Sequence, residues 1–183
     1  MARTQPFVPI EFVVEPDVQE VTPGYLKVSQ TFCEKALVYR DGTDSRRIKE
    51  CASPISAAYL GVAVENATSV LADETTGALS VASRAVDTLT SVYRISERPR
   101  MICNVYNETG AANVALTKAM VGLQRNMVKH SAGAGVPRGP DIWVLDYGDE
   151  TATHQIEELV DEVGCYNGRV VVATLRAYRQ ESP

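Results

Sequence analysis

Gly164-Cys165-Tyr166-Asn167-Gly168-Arg169-Val170-Val171-Val172-Ala173-Thr174-Leu175 is the stretch whose reading decides the fold. Asn and Gly both tolerate positive φ, so Asn167-Gly168 suits the tight turn of a hairpin. Val170, Val171 and Val172 are stiff at χ1 and suit a strand packed on both faces. With the apolar 156–163 segment just upstream, the spacing predicts a C-terminal strand locked into a sheet. Outward from it, the chain reads as mainly β, a β-barrel or sandwich with one or two short helices and an extended proline-rich N-terminal arm. The arm covers residues 1–24 and the β-rich body residues 25–183.

In the arm, Pro6, Pro9, Pro16 and Pro23 remove backbone donors and fix φ, which argues against a central strand or a helix. Phe7, Val8, Ile10, Phe12, Val13 and Val14 lie between them and still need burial. An extended arm or edge strand that lies on something satisfies both demands, the support being either the body or a neighbouring subunit. These six residues are the expected partner contacts.

The body reads as strands with turns between them. Tyr25–Val28 and Ala36–Tyr39 are strands, and the Asp41–Asp44 turn leads into a short return over Arg46–Glu50. Ala58-Tyr59-Leu60-Gly61-Val62-Ala63-Val64-Glu65-Asn66 is a near-continuous apolar run, the mark of a buried strand with Gly61 at a bulge or close backbone approach. A helix over Ala57–Ala67 is the alternative, against which Gly61 and its β-branched neighbours count. Leu89–Ile95 and Arg100–Tyr106 flank Ser96-Glu97-Arg98-Pro99 as a second hairpin. Ala112, Ala115, Leu116, Ala119, Met120, Leu123, Met127 and Val128 recur at helical spacing, which favours an amphipathic helix over 111–130. The competing reading is two strands broken at Gly122. Asp141–Tyr147 is a strand, and Thr151–Val163 a short helix with Glu157, Glu158, Asp161 and Glu162 on its polar face.

At 183 residues the chain can bury a sizeable core. A net charge of −5, with basic residues dense only at Arg46-Arg47 and Arg94–Arg100, argues against binding nucleic acid through its phosphates. No apolar run approaches the roughly 20 residues of a membrane span, and no secretory signal or membrane partner is expected. Asn66 and Asn107 stand in glycosylation-type triplets, expected to be coincidental without such a signal. The four cysteines, Cys33, Cys51, Cys103 and Cys165, lack ligand spacing and read as buried thiols, so neither metal nor cofactor is expected.

Candidate chemistry is sparse. His130 and His154 are the only histidines, and no Gly-x-Ser-x-Gly elbow accompanies them. Gly133-Ala134-Gly135 lies among prolines that would remove the amides of a phosphate cradle, so a surface loop is expected. The acidic row Glu157, Glu158, Asp161 and Glu162 fans around its predicted helix as a solvated face. Asp146, Asp149 and Glu150 follow a strand, a place where carboxylates can be positioned for acid–base work.

Two stretches carry a resemblance. Tyr59-Leu60-Gly61-Val62-Ala63-Val64-Glu65-Asn66-Ala67 is similar to an early Gly-Val-Ala-apolar-Glu-x-Ala strand, and Val163–Val172 resembles a closing glycine-turn hairpin. Both belong to the small β-rich capsid cement, or head decoration, proteins of tailed bacteriophages. The resemblance covers about a sixth of the chain; the arm and residues 111–130 have no counterpart. It implies a non-enzymatic virion protein, located on the capsid surface and assembled in the host cytoplasm. Such a protein binds and stabilises a shell of major capsid protein and self-associates, a trimer being one form. It implies no catalytic residues. A solid helix over 111–130 would instead favour a tail-tube or head–tail connector subunit. A cleft holding Asp146 and His154 would favour a small-molecule enzyme.

Overall fold

The computed structural model describes residues 3–13, 21–26, 30, 32, 35–42, 46–63, 67–72, 79–83, 89–94, 100–130 and 142–179. Its strands are β1 (Glu11–Phe12), β2 (Val21–Leu26), β3 (Leu37–Arg40), β4 (Arg47–Glu50), β5 (Gly61–Ala63), β6 (Thr68–Ala72) and β7 (Leu79–Ser83). They continue as β8 (Leu89–Arg94), β9 (Arg100–Tyr106), β10 (Gln124–His130), β11 (Ile142–Asp146), β12 (His154–Leu159) and β13 (Arg169–Thr174). Short 3-10 turns cover Lys118–Met120 and Arg176–Tyr178, and the described residues contain no α-helix. The protein is mainly β, as its sequence predicts.

The strands form two circuits. β2-β4-β3-β5-β8 close into a barrel, around Leu26, Phe32, Val38, Ile48, Leu60 and Val92. β9-β11-β10-β12-β13 form a ring of pairings closed by β13 against β9, and β1 adds to β9 from outside. Closure removes the open edges that invite unwanted pairing. Each circuit contains one parallel pair, β2 with β4 and β9 with β11. β6 and β7 make a separate hairpin.

Residues 51–60, between β4 and β5, form a strap that crosses from barrel to ring. Ile55 N–H donates to the Met127 carbonyl at 3.2 Å and Tyr59 N–H to the Tyr178 carbonyl at 3.0 Å. Lys129 of β10 returns a 2.6 Å ion pair to Glu50. One core follows: Leu37, Cys51, Ile55, Tyr59 and Val62 pack with Met101, Leu116, Trp143, Ile156, Val170 and Val172.

Several expectations need correction. Proline does not keep residues 1–24 out of the sheets, because Val21–Leu26 is a barrel strand. Pro23 is tolerated there because it lies opposite Ser91 of β8, while the pairing with β4 begins only at Tyr25. β8 and β9 are strands but not a hairpin. β8 is flanked by β2 and β5, and β9 by β13 on one side and by β1 and β11 on the other, so neither has an edge for its neighbour in sequence. The connection 95–99 lies outside the described residues.

The helix over 111–130 is absent: Gly122 stands at φ +90°, which breaks the helical path, and β10 follows it. Asn126, Met127 and Val128 are buried in succession, the pattern of a strand covered on both faces. The break at Gly122 is where the competing reading placed it, although the strand lies after it. The helix over 151–163 is likewise replaced by β12. His154 and Ile156 are buried with Gln155 and Glu157 half-buried between them, a period of two, and the helical stripe fails where Val160 and Val163 are exposed.

The arm is seated on the body of its own chain. Glu11 and Phe12 pair with Ile102 and Met101, Gln5 N–H donates to the Tyr166 carbonyl, and Ile10 is 1% exposed within the shared core. Replacing Ile10 by Ala is expected to cost about 2–5 kcal/mol in a urea titration, the range for emptying a core site. A loss below about 0.5 kcal/mol, the scale of a surface substitution, would show that the arm does not contribute to the core.

Candidate functional site

The densest buried polar cluster lies where strap and ring meet. Tyr59, at the end of the strap, is fully buried, and its hydroxyl lies 2.7 Å from His154 Nε2 and 2.6 Å from Thr174 Oγ1. His154 opens β12 and Thr174 closes β13, and the two are register partners. Thr153 Oγ1 lies 2.8 Å from His154 Nδ1, 3.0 Å from Asn126 Oδ1 and 3.1 Å from the Arg125 carbonyl. Asn126 donates through Nδ2 to the Ile55 carbonyl and to Asp149 Oδ2, and accepts at Oδ1 from Met127 N–H.

Both ring nitrogens of His154 meet hydroxyls, which can donate or accept, so either tautomer completes the chain. Burial pushes the His154 pKa down to about 3 and keeps the ring neutral. Burial also raises the Tyr59 phenol, partly offset by its Thr174 bond. Chemically, the arrangement is a closed series of satisfied groups.

The other predicted residues fall into separate structural roles. Asp146 is 2% exposed; its Oδ1 accepts from Glu108 N–H and Gly148 N–H, and its Oδ2 from the Thr109 hydroxyl. It pairs with Asn126 in register while His154 pairs with Arg125, but the two side chains bond to different partners. Burial would lift Asp149, but hydrogen bonds from Thr151 and Asn126 outweigh it and hold the carboxyl below its usual range. Glu150 is exposed.

His130 ends a strand rather than a helix. Its Nδ1 lies 2.8 Å from Glu108 Oε2, and its ring lies tilted over Phe7 at 4.0 Å and edge-on to Tyr106 at 4.9 Å. Three of the four acids in the row are shared between two arginines, and the fourth, Glu162, is exposed. Glu157 and Glu158 meet Arg100, and Asp161 makes a two-point pair with Arg169 that holds its carboxyl below the usual range. Cys51, Cys103 and Cys165 are buried free thiols; burial pushes Cys103 up to about 12 and raises Cys51 as well, away from the reactive thiolate. Cys33, Asn66 and the Gly133–Gly135 loop lie outside the described residues. Tyr39, Cys51, Ala52, Ile55, Ser56 and Ala57 line a cavity of about 40 Å³, room for a few waters.

Of the expected contacts, Phe7 meets Tyr106 edge to face and lies tilted over His130, Val8 N–H donates to Asn104 Oδ1 and Ile10 is in the core. Phe12 packs against that core, Val13 N–H donates to the Arg100 carbonyl, and Val14 lies outside the described residues. Asn104, fully buried, holds this seat. Its Nδ2 donates to the Pro6 carbonyl at 3.1 Å and to the Asn167 carbonyl at 2.7 Å.

Tyr59, Asn104, Asn126, Thr153 and Thr174 do not stand out in the sequence as functional residues. Tyr59 lies in an apolar run that reads as a buried strand, of which only Gly61–Ala63 is strand among the described residues, and its partners stand 95 and 115 positions away. No family model, curated protein or solved structure matches the chain.

Removing the Tyr59 hydroxyl leaves both His154 Nε2 and the Thr174 hydroxyl without their partner. Tyr59→Phe is expected to cost about 1–3 kcal/mol by urea denaturation, the scale of a buried polar group left unsatisfied. Gly168→Ala is expected to destabilise as well, because a Cβ there would stand 2.5 Å from Leu116 Cδ1. An unchanged melting temperature for that variant would mean that the 160–168 loop can move off Leu116.

Proposed function

We propose that the protein is a structural virion component, a capsid cement or decoration protein that binds a shell of major capsid protein and reinforces it without catalysis. The observation that carries this reading is that the two stretches resembling such proteins belong to one core. Tyr59 and Val62 from the first pack with Val170 and Val172 from the second. The polar side chains around that core tie one element to another, as a load-bearing subunit needs. Asn104 ties arm to ring, and Tyr59 ties strap to ring.

The tail-tube or connector reading leaned on a helix over 111–130, and those residues contain a 3-10 turn and β10 instead. The small-molecule enzyme reading leaned on Asp146 and His154, whose polar atoms are engaged by neighbours in the chain. On the proposed reading the chain self-associates on the capsid surface, a trimer being one form. The contact surface lies on the outward parts of the arm around Phe7, Val8, Phe12 and Val13. Ile10 is an internal anchor.

Purified protein mixed with genome-free shells of the same virus's major capsid protein is expected to co-sediment at a saturable stoichiometry. It should also raise the temperature at which those shells lose integrity. Protein that stays in the supernatant at every shell concentration would overturn the proposal.

A further inference from the structure

We propose that the end of the ring formed by residues 118–121 and 160–166 is a docking surface for a second copy of this chain, the same face of each copy meeting about a two-fold axis. The inference deepens the capsid reading and rests on it for the role of the contact. The contact itself is measured without shells, so its failure and the failure of that reading are told apart.

Single exposed apolar side chains are ordinary on a protein surface, whereas a group of them marks a contact site. Among the described residues six large apolar side chains are exposed, and they are not scattered. Tyr25 and Leu89 are register partners on β2 and β8 of the barrel. The other four, Val121, Val160, Val163 and Tyr166, belong to two segments that the backbone ties side by side. Leu116 N–H donates to the Cys165 carbonyl and Gly164 N–H to the Leu116 carbonyl, each at 2.8 Å, and Gly122 N–H donates to the Ile156 carbonyl at 2.8 Å. Residues 117–121 run between these ties, beside 157–163. The fold spends Ile156 and Leu159 on its core and leaves Val160 and Val163 outside, Val163 at 54% exposure.

The charges on this surface decide what fits it. Lys118 opens the 3-10 turn and Glu162 lies in the neighbouring loop; both are exposed, and neither forms an ion pair among the described residues. Glu157, Glu158 and Asp161, by contrast, are engaged by Arg100 and Arg169. Lys118 stands two residues after Leu116, and Glu162 two before Gly164, whose backbones are bonded. An unpaired cation and an unpaired anion therefore share one apolar patch. A patch of a single sign would call for a partner of the opposite charge. This one is complementary to itself: turned about a two-fold axis, it sets Lys118 of each copy toward Glu162 of the other, with apolar side chains between them.

The surface is also held in shape before anything binds. Val160 N–H donates to the Arg169 carbonyl, Cys165 N–H to the Glu162 carbonyl and Tyr166 N–H to the Arg3 carbonyl, while Asp161 accepts from Arg169 at two points. Little ordering is left to oppose docking. A contact built on four apolar side chains belongs to the weak, concentration-dependent class. Sedimentation velocity of the full chain, without shells, is expected to show monomer passing to dimer between about 1 and 500 µM. Val163→Glu sets an unpaired carboxylate into the patch and is expected to weaken the dimer at least about tenfold. Lys118→Glu makes both charged positions acidic, and Glu162→Lys makes both basic. Each of these two chains is expected to lose self-association, and the two mixed are expected to form a heterodimer of about wild-type affinity, every charge then meeting its opposite. Far-UV circular dichroism and the emission of Trp143, the sole tryptophan and fully buried, verify that each variant is folded.

Monomer at every concentration, a trimer in place of a dimer, a Val163→Glu chain that dimerises as wild type does, or charge-swapped chains that do not recognise each other would each overturn the contact. A monomeric chain that binds shells saturably would overturn it and leave the capsid reading standing. A dimer that never sediments with shells would do the reverse.

Discussion

A phenol hydroxyl taken out of water must find partners in the fold, and at Tyr59 those partners come from the far end of the chain. His154 and Thr174 stand across from each other on β12 and β13, so the hydroxyl meets a site that exists only when those strands are in register. A one-residue slip would turn both to the other face. The bond therefore specifies which pairing of the C-terminal hairpin the strap accepts, beyond what apolar packing alone selects. Asn104 does the same for the arm. Its two polar ends engage Val8, Pro6 and Asn167, and a strand shifted by one position would leave an amide buried without partners.

Closure of both strand circuits constrains everything else. β8 is paired on both flanks by β2 and β5, and β9 by β13 on one flank and by β1 and β11 together on the other, so these chain neighbours part to different circuits. The strap then becomes the shared wall. Cys51, Ile55 and Tyr59 present apolar surface to the ring, while Leu37 and Val62 carry the barrel into the same core. The outer charges follow the sheets: Arg100 on β9 reaches Glu157 and Glu158 around β12, and Arg169 on β13 reaches Asp161.

Much of the strand content was legible. The β-branched run Val170–Val172 and the bulky apolar run Ile142–Leu145 have few alternatives to a buried strand. Asn167 does adopt positive φ, although β12 and β13 are joined by the 160–168 loop and not by a tight turn. What misled was spacing shared by two structures. Leu116, Met120, Leu123 and Met127 fit a helix, yet the glycine at 122 and the continuous burial of 126–128 decide against it. In β12, a bulge between Ile156 and Glu158 shifts the two-residue period, so Ile156, Leu159 and Val160 align as they would on a helix. Contacts between distant elements were not legible, because they join residues 71 to 115 positions apart, as with Ile55 and Asn126 or Tyr59 and Thr174. His154 stood out only as a histidine; its neutral, buried state follows from neighbours that spacing does not reveal.

The ring has a consequence for the order in which the protein is made. β9 needs β13 on one flank and both β1 and β11 on the other, so a strand from mid-chain waits for partners synthesised long before and well after it. On the ribosome, β1 emerges early yet has nowhere to dock until residues 100–106 follow, and the circuit stays open until 169–174 leave the exit tunnel. Closure of such long loops makes for slow maturation, with unpaired strands exposed in the interval. A nascent chain held short of residue 169 would therefore be expected to remain sticky and protease-sensitive in its second half, whatever the state of its barrel.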